Sequence, residues 1–227
     1  LGTTAPGLLA DASVLQARGL PARGVLAREA DPTCWNLGAA PVDCYLGPDG
    51  LADDGVHEIK PLPGMHAQSR HGGHATDWSA ALAFLLLLAR RRLAATERAG
   101  RRAAFLWCAP RHAGRELGEL YAPGLACLGI DPEQVMLVET RRRDETLWAI
   151  EEGLAAGALS LVAGVVDDLA LTPARRLALR AGRHRTPCLL LTSPRSPAAA
   201  ATASRWSVSR ARSAPHPFDP RAPGAVR

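Results

Sequence analysis

The sequence predicts an α/β fold, a mostly parallel β-sheet with helices packed on its faces. Four short apolar runs, Ala103–Cys108, Val135–Val138, Leu161–Val166 and Cys188–Leu191, are continuous rather than alternating, the mark of strands covered on both sides. Helical segments separate the later three, and strand–helix–strand alternation implies right-handed crossovers and parallel pairing. A length of 227 residues with 47% hydrophobic and 22% charged residues suits one soluble domain able to bury a sizeable core.

The elements follow in order. Residues 1–33 are rich in Ala, Gly and Pro without periodicity and read as a loosely ordered leader. A short strand is expected over Val56–Ile59, then a loop from Pro61 to Thr76 containing Gly64, Gly72 and Gly73. A helix from about Asp77 to Leu93 is apolar on nearly every side (Trp78, Leu82, Phe84, Leu85, Leu86, Leu88), as expected of one packed deep against a sheet. Its greasiest part, Ala80–Ala89, is well short of the roughly 20 residues of a membrane span. A helix from Asp144 to about Ala156 carries Leu147, Ile150 and Leu154 on one face. The next has Thr172 as N-cap, Pro173 in its first turn and Gly182 just past its end. Arg205–Ser209 reads as an added strand, and residues 211–227 as a proline-rich extended tail. The domain is therefore placed at residues 34–210.

The net charge of +5 comes almost wholly from arginine, since Lys60 is the only lysine. A pI near 9.3 suits weak, non-specific contact with nucleic acid or acidic partners, and equally an arginine-solvated surface. Abundant Ala, Gly, Pro and Arg suggest a GC-rich bacterial genome. The five cysteines form no CxxC pair, and Cys108 and Cys188 lie inside apolar runs, so reduced, buried thiols in a cytoplasmic protein are expected rather than disulfides or zinc. Nothing near the start reads as a signal peptide. Because it opens on Leu1 rather than Met, the chain reads as a fragment or as an alternative start codon translated literally.

An ordered series of short motifs carries a resemblance. Leu37-Gly38, Val42-Asp43, Leu46-Gly47, Gly50-Leu51 and Gly55-Val56-His57-Glu58-Ile59 resemble the approach to the nucleotide loop of RecA recombinases. The likeness continues through Phe105-Leu106, Tyr121, Leu128-Gly129-Ile130-Asp131, Val135–Val138 and Val165-Val166-Asp167 into Leu171-Thr172-Pro173, covering about residues 35–210. Closer still is the resemblance to the ImuA family, the RecA-like member of the ImuA–ImuB–error-prone DnaE polymerase mutagenesis cassette. Its most specific carriers are the segment 120–132 (LYAPGLACLGIDP) and the segment 147–154 (LWAIEEGL), joined by Leu106-Trp107-Cys108 and Arg205-Trp206. The resemblance implies a RecA-like fold, an ImuB-like Y-family protein as partner, and RecA and the error-prone DnaE polymerase as further partners. Members of the family usually continue past Ala222-Pro223-Gly224 into a β-rich segment, whereas this sequence stops at Arg227.

The residues argue against catalysis. A Walker A loop needs G-x-x-x-x-G-K-[ST], in which backbone N–H groups wrap phosphate, lysine neutralises it and the hydroxyl holds magnesium. The equivalent stretch reads Ser69-Arg70-His71-Gly72-Gly73-His74-Ala75-Thr76-Asp77, and Lys60 precedes it. Gly72, Gly73, His74 and Thr76 thus form a degenerate nucleotide loop, and Asp77 at the positive helix end would repel phosphate. In RecA an acid after the second strand activates water; here that place reads Cys108-Ala109-Pro110-Arg111. Asp167, followed by Asp168, is the relic of the magnesium-linked aspartate. Neither cofactor nor metal is expected, and His66, His71 and His74 have no more than a poor metal spacing.

The two DNA-gripping loops of RecA also look trimmed, because Pro173 to Cys188 leaves room for one helix and Thr192–Pro197 is short. Arg175, Arg176 and Arg180, with Arg183 and Arg185, make a basic edge that suits a solvated helix face as well as a contact. Arg205 and Trp206 are a further candidate contact, whereas Trp107 and Trp148 are expected to pack in the core. Arg90–Arg92, Arg101-Arg102 and Arg141–Arg143 are expected to be solvated. The reading is a non-catalytic accessory protein of damage-induced mutagenic translesion synthesis. The alternatives are a SulA-like cell-division inhibitor and a RecA-like ATP-dependent DNA-binding protein.

Overall fold

The computed structural model describes residues 35–46, 49–62, 78–197 and 201–210. The expected leader, the glycine loop with His66, His71 and His74, and the proline-rich tail all lie outside the described residues. The strands are β1 (Val56–Pro61), β2 (Phe105–Pro110), β3 (Val135–Thr140), β4 (Leu161–Val166), β5 (Cys188–Thr192) and β6 (Ser204–Val208). The helices are α1 (Ala40–Leu46), α2 (Trp78–Arg98), α3 (Arg111–Leu117), α4 (Ala122–Cys127), α5 (Arg143–Ala155) and α6 (Leu171–His184), with a 3-10 turn at Pro132–Gln134.

All six strands join one sheet in the order β3-β2-β4-β5-β1-β6, and every neighbouring pair is parallel. The α/β expectation is met, and the sheet is wholly rather than mostly parallel. Side chains alternate between two cores, as the pleat requires. On one face Ile59, Phe105, Trp107, Leu161 and Leu189 pack with Leu85 and Leu88 of α2. On the other Leu106, Cys108, Val162 and Leu190 meet Ile150 and Leu154 of α5 and Leu177 of α6. Each fully buried leucine contributes roughly 1.5–3 kcal/mol of transfer free energy, which explains why the apolar runs choose these places.

Two glycines let α5 lie close on the sheet. A Cβ on Gly164 of β4 would stand 2.6 Å from Ile150 Cδ1 and 2.8 Å from the Cys108 carbonyl oxygen. A Cβ on Gly153, the glycine of the segment 147–154, would overlap Leu106 Cδ2.

Trp35 closes the α2-side core near the start of the described chain. Its indole Nε1 donates to the Leu88 carbonyl at 3.0 Å, His57 meets its ring edge-on at 5.1 Å, and the Arg92 guanidinium lies 5.8 Å over it. Arg92 is therefore buried, its Nε donating to Ser160 O at 3.2 Å, and only part of the arginine triplet on α2 meets the solvated expectation. Desolvation lowers its pKa from the ordinary guanidinium range, and Asp53 opposes that shift.

Other expectations are corrected. The Val135–Val138 run is not covered on both faces: among the described residues β3 is an edge strand, paired only with β2, and Met136 is 46% and Leu137 57% exposed. Trp148 is 64% exposed rather than packed, since α5 turns its Leu147–Ile150–Leu154 face to the sheet. Helix α6 starts at Leu171 with Ala170 as N-cap, so Thr172 is inside it. Gly182 is helical too, and Arg185 in the left-handed conformation (φ 48°) ends the helix. Helix α2 continues five residues past Leu93, and α1, α3 and α4 had no expected counterpart. Trp107 is buried, as are Cys108 and Cys188, while Cys44 and Cys127 are exposed.

Candidate functional site

Open parallel sheets place their crevice at the carboxyl ends of two strands whose connections leave on opposite faces. Here those strands are β2 and β4. The chain leaving β2 enters α3, whose Ala113 belongs to the α2-side core, whereas that leaving β4 passes through Leu169 and Ala174 into the α5–α6 core. His112 and Asp167 face each other across this crevice, Nε2 to Oδ2 3.3 Å, both about half exposed.

Beside them Arg111 Nε donates to Glu139 Oε2 at 3.3 Å, joining the ends of β2 and β3. Asp168 is held from two sides: Arg143 Nη2 donates to its carbonyl at 2.6 Å, and the Ser196 hydroxyl lies 3.4 Å from its Oδ1. The same hydroxyl accepts from Leu169 N at 3.1 Å, and Ser193 N donates to Asp167 O at 3.1 Å. The carboxylates at this edge thus have basic or hydroxyl partners. The place after β2, where the resemblance to RecA implies an acid, holds Arg111 and His112. Position at a strand's carboxyl end was the signal that would have singled out His112 and Glu139 in the sequence.

The adjoining cavity, bounded by Leu82, Trp107, Arg111, Glu119, Leu137 and Val165, has a volume of about 110 Å³. Sites for drug-sized ligands run to roughly 300–1,000 Å³, so this space is too small for a nucleotide. Among the described residues no cluster of three or more metal-ligating side chains occurs.

Deeper in the sheet Glu58 is fully buried and serves as a polar hub. Thr192 Oγ1 donates to its Oε1 at 2.9 Å, Arg205 Nε to its Oε2 at 2.8 Å, and Lys60 Nζ stands 3.4 Å from Oε1. Lys60 also donates to the Ser196 carbonyl, which ties the hub to the Asp168 side of the crevice. The lone lysine is therefore structural and is directed at the β5–β6 connection.

The candidate contact residues do not form one patch. Arg175, Arg176 and Arg180 lie together on the outer side of α6, and Arg176 Nη2 donates to the buried Glu151 of α5 at 2.6 Å. Arg205 is engaged with Glu58. Trp206 sits on the opposite face of the sheet, 5.3 Å from the Phe84 ring of α2, with its indole N–H on Ser204 Oγ at 2.7 Å. Gly72, Gly73, His74 and Thr76 lie outside the described residues. No helix among the described residues is long and apolar enough to cross a membrane.

No family model matches the chain. Two curated proteins are similar to it, Protein ImuA of Caulobacter vibrioides strain NA1000 / CB15N and Protein ImuA of strain ATCC 19089. Each is 30% identical over 169 residues, covering 70% of this chain and 65% of the relative, which places the chain in a distant relationship to ImuA. The chain spans 65% of the length of the curated relatives it matches. Among solved structures, SulA from Pseudomonas aeruginosa aligns with a TM-score of 0.44 at 17% identity, over 61% of this chain and 97% of that one.

Proposed function

We propose that this chain is an ImuA-family accessory protein of damage-induced mutagenic translesion synthesis, acting through protein partners rather than by catalysis. The observation that carries the reading is the relationship to Protein ImuA over 169 residues. It includes the ImuB-like Y-family protein as principal partner, with RecA and the error-prone DnaE polymerase as further ones, and salt-sensitive, sequence-indifferent DNA contact through arginine.

The residues support a non-catalytic role. Arg111 and His112 stand where the resemblance to RecA calls for a water-activating carboxylate, and the only lysine is engaged by Glu58 and Ser196. A fold kept without its chemistry survives as a surface for partners.

The test is mutation frequency after ultraviolet exposure in wild-type, deletion and complemented strains, with recombination scored alongside. The deletion should reduce induced mutation and leave recombination nearly intact. Unchanged mutagenesis or lost recombination overturns the assignment. Sustained phosphate release from ATP by the purified chain, lost in Asp167→Ala, overturns the non-catalytic reading.

A further inference from the structure

Helices α5 and α6 lie side by side on one face of the sheet, joined by the Arg176–Glu151 bond, and their outer surfaces are built on the same plan with opposite charge. Each centres on a large apolar residue pointing into solvent: Trp148 on α5, 64% exposed, and Leu179 on α6, 74% exposed. Residues at −4, −3 and +4 surround such a centre on a helix surface. Around Trp148 these are Asp144, Glu145 and Glu152; around Leu179 they are Arg175, Arg176 and Arg183. Glu145 is partly occupied by Arg142 at 3.2 Å and by the Arg141 amide. Asp144, Glu152, Arg175 and Arg183 form no ion pair within the described residues, so their charge is directed outward.

The geometry points to a second copy of this chain as the occupant of the α5–α6 face, in a two-fold symmetric dimer. Both helices return from the carboxyl to the amino end of a parallel sheet, so they run in the same direction. A two-fold axis lying in the interface, parallel to the helices and between them, places α5 of each copy over α6 of the other. The Glu151–Arg176 bond and the approach of His184 to Gly157 set the two helices level at those residues. Each Trp148 then lies over the partner's Arg175 and each Glu152 over the partner's Leu179, and the acidic outer row of α5 faces the arginine row of α6 twice, as an isologous interface requires. Each Trp148 indole is offered to arginines, a favourable cation–π partnership. Turning the axis across the helices instead stacks α5 on α5 and α6 on α6, like charge on like.

The footprint sets the strength. Helices of 13 and 14 residues are about 20 Å long and pack about 10 Å apart, which gives a face of roughly 20 by 20 Å. Over both copies that is roughly 800 Å², below the ~1,200 Å² of stable specific interfaces and in the range of weak, transient encounters, so the pairing is reversible and weakens with salt.

Sedimentation of the purified full chain over a concentration series tests this. The mass should rise from 24.0 kDa to twice that value, and rising salt should reverse it. Asp144→Arg/Glu152→Arg in one preparation and Arg175→Glu/Arg183→Glu in another should each stay at the single-copy mass. Mixed in equal amounts they should recover the doubled mass, since each reversed helix then faces its complement. Leu179→Asp, a single exposed change, should weaken association at least tenfold with an unchanged circular dichroism spectrum. A wild-type chain that stays at 24.0 kDa throughout, growth beyond two copies, or folded reversal variants that fail to pair when mixed overturns the proposal.

Discussion

Glu58 and Arg205 meet across the β1–β6 pairing, Oε2 to Nε 2.8 Å, and tie the edge strand β6 to a buried carboxylate. The residues are direct partners in the parallel register, and both lie on the α6 side of the sheet. Thr192 closes the same carboxylate from β5, so one side chain links three adjacent strands.

Arg205→Ala should therefore destabilise the protein by about 1–3 kcal/mol, the usual cost of stripping one charged partner from a buried acceptor that keeps others. The arginine side chain is itself about one-third exposed, which places the effect below that of a fully buried pair. Urea unfolding measures the loss, and hydrogen exchange should show β6 amides losing protection first. Unchanged protection in β6 would mean that the ion pair does not anchor the strand.

Gly164→Ala should cost about 1–3 kcal/mol, because the new methyl meets the fixed Cys108 carbonyl as well as Ile150. Gly114→Ala in α3 is the control: its Cβ would lie 3.4 Å from the movable Glu119 side chain, and alanine favours a helix. Thermal unfolding of the two variants should separate them clearly, the first falling and the second holding or rising. Equal melting temperatures would show that α5 does not press on β4 as closely as described.

His57 should make stability fall in mild acid. Burial lowers its pKa below the ordinary 6.5, with the Ala52 carbonyl and Asp54 opposing the shift. The ring is spanned between Ala52 O at 2.8 Å and Ser204 Oγ at 2.7 Å. The Ser204 oxygen already accepts from Trp206 Nε1, so its own proton goes to His57 Nδ1, and Nε2–H goes to Ala52. The neutral imidazole satisfies both ends. The unfolded chain binds the proton first, so the full contribution is present above about pH 6.5 and is lost progressively below it, down through the lower pKa of the folded state. Unfolding free energies between pH 8 and 5 should show this loss, and His57→Asn should flatten that part of the profile. A flat wild-type profile would exclude the linkage.

Cysteine labelling should divide the thiols by burial. The Cys108 thiol is pushed up to about 12 by desolvation, and Cys188 is raised further by burial with a contribution from Cys108. Neither should react with iodoacetamide at neutral pH in the folded protein, whereas exposed Cys44 and Cys127 should. Peptide mass spectrometry before and after unfolding distinguishes the sets. Native labelling of Cys188 would show that β5 opens locally.

The sequence by itself determined the layer order of this protein and the identity of its buried strands. The continuous runs at Phe105, Leu161 and Cys188 leave no polar face, and only a sheet covered on both sides accommodates them. It also determined the absence of an acid after β2, since that is a matter of which residue follows Cys108. What it left open depends on neighbours far along the chain. Val135–Val138 is as apolar as the other runs, yet its place at the edge leaves Met136 and Leu137 in solvent, and edge or centre is decided by strand order. Trp148 has the composition of a core residue but the helical phase of a surface one, because α5 must present Ile150 and Gly153 to β4 and β2. Arg205 and Lys60 read as surface cations until β6 joins β1 and sets them around Glu58, a carboxylate buried by strands more than 130 residues away in sequence. Local pattern records the hydrophobic demand of each segment; only tertiary packing decides which segment meets it and which polar groups must pair as a result.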